Sequence, residues 1–169
     1  MKLKPIINSF DLQKRVLELA KSIEKDYEEV YVIGLLNGAF MFVGDLTKHI
    51  NKNVYVDFMK VHSYVGDTSS NLKVICDITA DIKAKDVLVV DDILDTGKTL
   101  FNIMNILKGQ NPKSLKLCVL LDKPSRRKIE IKADYVGFEI EDKFVVGYGL
   151  DYRGFGRNLN FIAEIDPNA

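Results

Sequence analysis

Asp91 and Asp92 stand side by side after the aliphatic run Val87 to Val90 (VLVV), and Asp95, Thr96, Gly97, Lys98 and Thr99 follow within a few residues. Adjacent carboxylates on an extended segment point to opposite faces, yet both lie at the carboxyl end of the strand, where open α/β sheets bind ligands. Carboxylates in that place can hold Mg²⁺ directly or through water, and they can accept hydrogen bonds from sugar hydroxyls. Small and hydroxyl-bearing residues at a helix start, here Thr96 to Thr99, expose backbone N–H groups that cradle a phosphate. A nucleoside triphosphate loop is the rival reading, because Gly97, Lys98 and Thr99 spell its last three letters. That motif needs a glycine five residues earlier, where this chain has Asp92. Helix capping by Asp95 or Thr96 accounts for part of the segment but not for two further acids.

The elements that position this segment follow from hydrophobic periodicity. Leu12, Val16, Leu19, Ala20, Ile23 and Tyr27 form a helical stripe over Asp11 to Tyr27, with Ser9 or Asn8 as its cap. Val30 to Leu36 predicts a short buried strand, and Gly38 opens a helical run from Ala39 to Ile50. Val54 to Val61 predicts a strand, His62 to Asn71 a long polar loop, and Lys73 to Thr79 a returning strand, a hairpin able to fold over a site. Val87 to Val90 has the composition of a central parallel strand covered on both faces. Leu100, Ile103, Met104 and Leu107 then mark a helix that stops at Gly109. Leu115 to Leu121, Tyr135 to Phe138, Phe144 to Tyr148 and Phe161 to Ile165 predict the remaining strands. Repeated strand, turn and helix units give an α/β class, and no linker or repeat divides the chain, so residues 1–169 are expected to form one domain.

Composition narrows the function classes. The 169 residues are 47% hydrophobic and 28% charged, with 24 basic against 24 acidic side chains, which excludes a strongly basic nucleic-acid or membrane-surface module as a whole-protein reading. The cluster Lys123, Arg126, Arg127 and Lys128 lacks interleaved aromatics, so no dedicated nucleic-acid binding is expected. Cys76 and Cys118 sit in apolar stretches and read as buried free thiols in a reducing compartment. His49 and His62 are too few for a structural zinc site. No stretch approaches the ~20 apolar residues that span a bilayer, and the amino terminus has no apolar signal region, so a cytoplasmic protein without membrane association is expected.

The segment VVDDILDTGKT closely resembles the phosphoribosyl pyrophosphate (PRPP) signature of type I phosphoribosyltransferases. Four further segments resemble the hypoxanthine-guanine branch of that family: GLLNGAFMF at Gly34 to Phe42, SYVG at Ser63 to Gly66, LLDKPSRR at Leu120 to Arg127, and VGFEIEDKFVVGYGLDYRGFGRNL at Val136 to Leu159. The resemblance runs from about residue 5 to residue 166. It implies a mostly parallel twisted sheet flanked by helices, with a small hood made from the terminal segments. It also implies Mg²⁺-dependent transfer of the 5-phosphoribosyl group from PRPP to N9 of hypoxanthine or guanine, with xanthine as a further candidate base. The products would be IMP or GMP (or XMP) and pyrophosphate, in purine salvage.

Residue by residue, the resemblance assigns Asp91 and Asp92 to the ribose hydroxyls and a metal. Asp95 matches the acid beside purine N7, acting as proton acceptor or electrostatically, and Thr96, Gly97, Lys98 and Thr99 match the 5-phosphate cradle. Lys123 matches the donor to purine O6, Phe144 the aromatic that stacks on the ring, and Val145 a residue whose backbone reads the ring edge. Asp151 matches the ligand of a second Mg²⁺ near the 2-amino edge, and Arg157 the pyrophosphate-contacting arginine. Leu36, Asn37 and Gly38 match the pyrophosphate loop, with a non-proline cis peptide expected between Leu36 and Asn37. Many relatives carry lysine or arginine where this chain has Asn37. Ser63 and Tyr64 match the lid over the reaction centre. A homodimer or homotetramer is expected, with the GLLNGAF segment near an interface. A noncatalytic PRPP-responsive regulator is the competing reading, but the retention of Asp95, Lys123, Phe144, Asp151 and Arg157 argues against it, because such a regulator would not need the full purine-side set.

Overall fold

Aliphatic runs separated by polar turns place the strands, and apolar stripes at helical spacing place the helices over them. The computed structural model describes residues 2–63 and 72–166. In chain order the elements are β1 (Leu3–Ile7), α1 (Ser9–Asp26), β2 (Glu29–Leu35), α2 (Phe40–Lys48), β3 (Asn53–Ser63), β4 (Leu72–Cys76), β5 (Asp86–Leu94), α3 (Lys98–Lys108) and β6 (Ser114–Asp122). A single 3-10 turn (Pro124–Arg126), β7 (Tyr135–Glu139), β8 (Val145–Val146) and β9 (Ile162–Ile165) complete the described chain.

The main sheet has the order β4-β3-β2-β5-β6-β7. Every pairing within it is parallel except the antiparallel edge of β3 with β4. Its central strands are covered on both faces, as their unbroken aliphatic runs require. Leu88, Val90, Cys118 and Leu120 face α1 and α2, where they meet Leu12, Val16, Ile23, Phe42 and Leu46. Val87, Val89, Leu117 and Val119 face α3 and meet Leu100, Ile103 and Leu107. Alternation along β5 therefore holds helices to both sides of one sheet. Asn8, not Ser9, caps α1 by accepting the Asp11 backbone N–H at 2.9 Å. One turn further on, Arg15 of α1 donates to the carbonyls of Gly137 and Val136, both at 2.7 Å, and covers the edge strand β7.

A second sheet, β1-β9-β8, joins the amino-terminal strand to the carboxyl-terminal ones, and Val146, Ala163 and Ile165 form its small core. This is the expected hood. Its β1 strand carries no clear period in sequence, because Pro5 interrupts a segment of only five residues.

Four expectations need adjustment. Strand β5 runs on to Leu94, because pairing with β6 continues through Asp91, Ile93 and Leu94, so the acidic pair lies within the strand and not beyond it. The predicted strand over Phe144 to Tyr148 shrinks to Val145–Val146, since Gly147, Tyr148 and Gly149 all have positive φ and turn the chain away. The predicted strand from Lys73 to Thr79 ends at Cys76. Cys76 is exposed, not buried, because β4 is the sheet's edge and residues 73–76 all face solvent; Cys118, in the central strand β6, is buried as expected. No helix among the described residues is long and apolar enough to cross a membrane.

Candidate active site

The carboxyl ends of β5 and β6 lie side by side, with Leu94 in register with Asp122, so the two segments that follow them, 95–99 and 123–128, are brought together. Backbone bonds then stitch them: Lys123 N–H donates to Leu94 O at 3.0 Å, and Lys128 N–H to Thr96 O at 2.9 Å. The Arg127 guanidinium donates to the carbonyls of Leu94 (3.2 Å) and Asp95 (2.5 Å) and forms a half-buried ion pair with Asp122. The loop from Leu94 to Thr96 is thereby fixed from the β6 side.

At the start of α3 the chain turns through Gly97, whose φ of 86° is available to glycine at little cost. A Cβ there would lie 2.6 Å from Ile131 Cγ2, so close packing as well as conformation selects glycine. Gly97 offers α3 no side-chain cap and no acid occupies its first turn; Thr96 Oγ1 accepts the Lys98 N–H only at a long 3.5 Å, so the positive dipole end meets no negative charge from the first turn. That is the electrostatic character of a phosphate cradle. Lys98 is exposed, and Thr96 and Thr99 are half-buried.

Asp91 and Asp92 are partly enclosed, and the Asp92 N–H donates to Asp91 Oδ1 at 2.9 Å. Burial pushes the Asp91 carboxyl well above the usual carboxylate range, and the neighbouring Asp92 charge adds to the shift. Burial also raises Asp92, opposed by hydrogen bonding and by the charge of Arg157. The Asp92 carboxylate lies against Gly38: a Cβ on Gly38 would fall 1.8 Å from Asp92 Oδ2. This contact brings the expected pyrophosphate loop onto the acidic pair, and the Leu36-Asn37 peptide in that loop is cis, as expected.

A cleft of about 380 Å³ opens beside these groups, lined by Ile93, Asp95, Lys123, Arg126, Asp142, Phe144, Val145, Leu150 and Asp151. Lys123 is only 6% exposed, and its Nζ donates to Lys143 O at 2.6 Å, which uses one of three ammonium donors. Phe144 is 46% exposed, a lip position, and meets Tyr152 edge to face with ring centroids 5.4 Å apart. Asp151 Oδ1 lies 2.7 Å from Arg157 Nη2, Asp151 Oδ2 accepts the Gly154 N–H at 2.7 Å, and Arg157 Nη1 donates to Gly149 O at 2.6 Å.

The structure thus brings Asp95, Lys123, Phe144, Val145 and Asp151 around one cleft, with Asp92, Gly38 and Arg157 adjoining. Ser63 ends β3, and Tyr64 lies outside the described residues, so the expected lid is not part of this geometry. Ile93, Leu150, Asp142 and Arg126 also line the cleft, and sequence reasoning assigned none of them to it. The signal for Arg126 was the doubled arginine after Lys123, read there only as part of a basic cluster.

Mg²⁺ can be tested against the donor set. Among the described residues no three His, Cys, Asp or Glu side chains cluster into a preformed metal cage. Mg²⁺ is commonly held by one or two carboxylates, with water and substrate phosphates completing its shell. Asp91 and Asp92, adjacent on β5 beside the phosphate cradle, suit that mode, because a cation there would offset the cost that burial imposes on their ionised forms.

Comparison with known proteins agrees with this geometry. Residues 9–153 match the family model described as the phosphoribosyl transferase domain. The chain is 50% identical over 163 residues to a hypoxanthine-guanine phosphoribosyltransferase of Aquifex aeolicus, covering 94% of this chain and 92% of that protein. Its counterpart in Bacillus subtilis is 43% identical over 168 residues, covering 97% and 93%. A crystal structure of a hypoxanthine-guanine phosphoribosyltransferase from Bacillus anthracis superimposes with a TM-score of 0.94 at 44% identity, covering 98% of this chain and 100% of that one. The chain therefore belongs to the phosphoribosyltransferase family and is an enzyme of its hypoxanthine-guanine branch, transferring phosphoribosyl groups from PRPP to purine bases.

Proposed function

We propose that the whole chain, residues 1–169, acts as one domain that transfers the 5-phosphoribosyl group to N9 of hypoxanthine and guanine. The products are IMP or GMP and pyrophosphate, in cytoplasmic purine salvage, with xanthine as a third candidate base giving XMP. The observation that carries this reading is the convergence of Lys123, Asp95, Phe144 and Asp151 on one cleft beside the phosphate cradle.

In this reading Phe144 stacks on the purine and Val145 meets its edge through the backbone. Lys123 donates to O6. A 6-amino group would leave donor facing donor, which is the physical reason to favour 6-oxopurines over adenine. Asp95 stands at N7 and accepts the proton, or stabilises the positive charge, that develops as N9 bonds to C1 of the ribose. The N–H groups from Thr96 to Thr99 hold the 5-phosphate, with the Lys98 side chain left in solvent. Asp91 and Asp92 hold the ribose hydroxyls, while Arg157 and the Leu36–Gly38 loop receive the departing pyrophosphate. Asn37 is neutral, so the positive charge on the pyrophosphate side comes from Arg157. Asp91 and Asp92 would hold Mg²⁺, and Asp151 a second ion, which would supply charge neutralisation for the pyrophosphate. Ser63 and Tyr64 are assigned to a lid that excludes water from the reacting carbon. The enzyme is proposed to act as a homodimer or homotetramer.

Lys123→Met tests the assignment of base recognition. Losing a charged donor to O6 should lower kcat/KM for hypoxanthine by about 10²-fold while leaving adenine no worse, so the preference between the bases collapses. A variant that keeps the full preference for hypoxanthine would overturn the role of Lys123.

A further inference from the structure

We propose that Arg126 is a positioning residue for Asp95, holding its carboxylate in the orientation from which it acts on the base; the inference rests on the assignment of Asp95 to the purine. The main chain around Asp95 is already fixed by Arg127, Lys123 and Lys128 through bonds to Leu94, Asp95 and Thr96. Those bonds do not reach the carboxylate. Arg126 does: its Nε lies 3.1 Å from Asp95 Oδ1 in a hydrogen-bonded ion pair. Two consecutive arginines thus divide one task, Arg127 holding the backbone and Arg126 the side chain.

Arg126 is itself held on two sides. Its backbone N–H donates to Lys123 O at 3.1 Å within the 3-10 turn, so the residue that faces the base and the residue that orients Asp95 share one rigid turn. Across the cleft, Asp142 Oδ1 stands 3.7 Å from the same Nε, on the segment that leads to Phe144. Engagement of Oδ1 by Arg126 leaves Oδ2 to meet the purine.

The energetics place the effect in turnover and not in stability. In the open cleft the Arg126 and Asp95 side chains are 44% and 41% exposed, and an ion pair so solvated adds little to folding. A base seated in the cleft covers the pair and displaces its water, and the same contact then acts at a lower dielectric. Orientation of the carboxylate therefore gains strength when the substrate is present.

The test is a double-mutant cycle in the full-length enzyme, with kcat and KM measured for Arg126→Gln, Asp95→Asn and the double variant. Arg126→Lys serves as the conservative control. Arg126→Gln should lower kcat about tenfold, with KM for PRPP little changed and the thermal midpoint within a few degrees of the parent. Arg126→Lys should recover part of the lost kcat. Asp95→Asn should lower kcat by about 10²-fold, and adding Arg126→Gln to it should cost nothing further, because the group that Arg126 positions is no longer a carboxylate. If Asp95→Asn is impaired but Arg126→Gln is fully active, or costs the same in both backgrounds, the positioning role is overturned and the Asp95 assignment stands. Full activity of Asp95→Asn overturns both.

Discussion

Gly38 shows how one missing side chain shapes this site. Its Cα leaves the space that the Asp92 carboxylate fills, and an added methyl would stand 1.8 Å from Asp92 Oδ2. Gly38→Ala should therefore turn the carboxylate aside and lower kcat/KM for PRPP by about tenfold or more, a misplacement effect at the reacting sugar. Overpacking of this kind also costs about 1–3 kcal/mol in stability, readable as a lower denaturation midpoint. Steady-state kinetics indistinguishable from the parent would show that Asp92 does not act where its contact with Gly38 holds it. At this scale the sequence is most informative where chemistry is contiguous. Asp91 to Thr99 can be read directly, because strand end, acids and helix start follow one another along nine residues. Arg126 cannot be read that way. Its contact with Asp95 spans 31 residues and depends on a single 3-10 turn that no periodicity announces.

At the level of elements, one carboxylate ties three of them together. Asp45 on α2 accepts hydrogen bonds from Gln13 of α1 at 3.0 Å, from Lys48 at 2.6 Å and from the hydroxyl of Tyr148 in the turn after β8. Burial pushes the Asp45 carboxyl up, but the bonds from Lys48, Tyr148 and Gln13 outweigh it and hold the group below the usual carboxylate range. Burial, with the bond to Asp45 added, raises the Tyr148 hydroxyl, so it stays a donor at neutral pH. A carboxyl depressed in the folded state contributes stability that is present above its unfolded value of about 3.9 and is lost as pH falls through the folded one. Asp45→Asn should accordingly lower the thermal midpoint at pH 7 and flatten its fall between about pH 5 and pH 2. Parallel melting curves of variant and parent over that range would contradict the role given to Asp45. Helix α1 and strands β5 and β6 can be read from stripe and composition. The turn at Tyr148 cannot, since FVVGY has a strand's composition and only the positive φ angles of residues 147–149 end β8 early.

For the whole molecule, burial by the layered sheet sorts the two thiols. Cys118 lies in β6 between the helical layers, and burial pushes its thiol far above the ordinary range, whereas Cys76 is exposed on the edge strand β4. The native protein should therefore react with a thiol-specific disulfide reagent at one cysteine, and denaturant should release the second. Rapid native reaction of both would mean that the core opens far more readily than its packing implies. The apolar run around Cys76 misleads in sequence because an edge strand shows the same residues as an inner one, and only strand order separates them. Strand order is likewise what joins Asp95 to Lys123, since β5 and β6 are neighbours in the sheet although α3 lies between them in the chain. The measurement that tests the central claim most directly is pyrophosphate release from PRPP by the unmodified enzyme, in Mg²⁺, with hypoxanthine, guanine, xanthine and adenine assayed in parallel. Turnover with hypoxanthine and guanine, and adenine slower by about 10²-fold or more, is the predicted result. Adenine used as well as hypoxanthine, or no release with either 6-oxopurine, would contradict it.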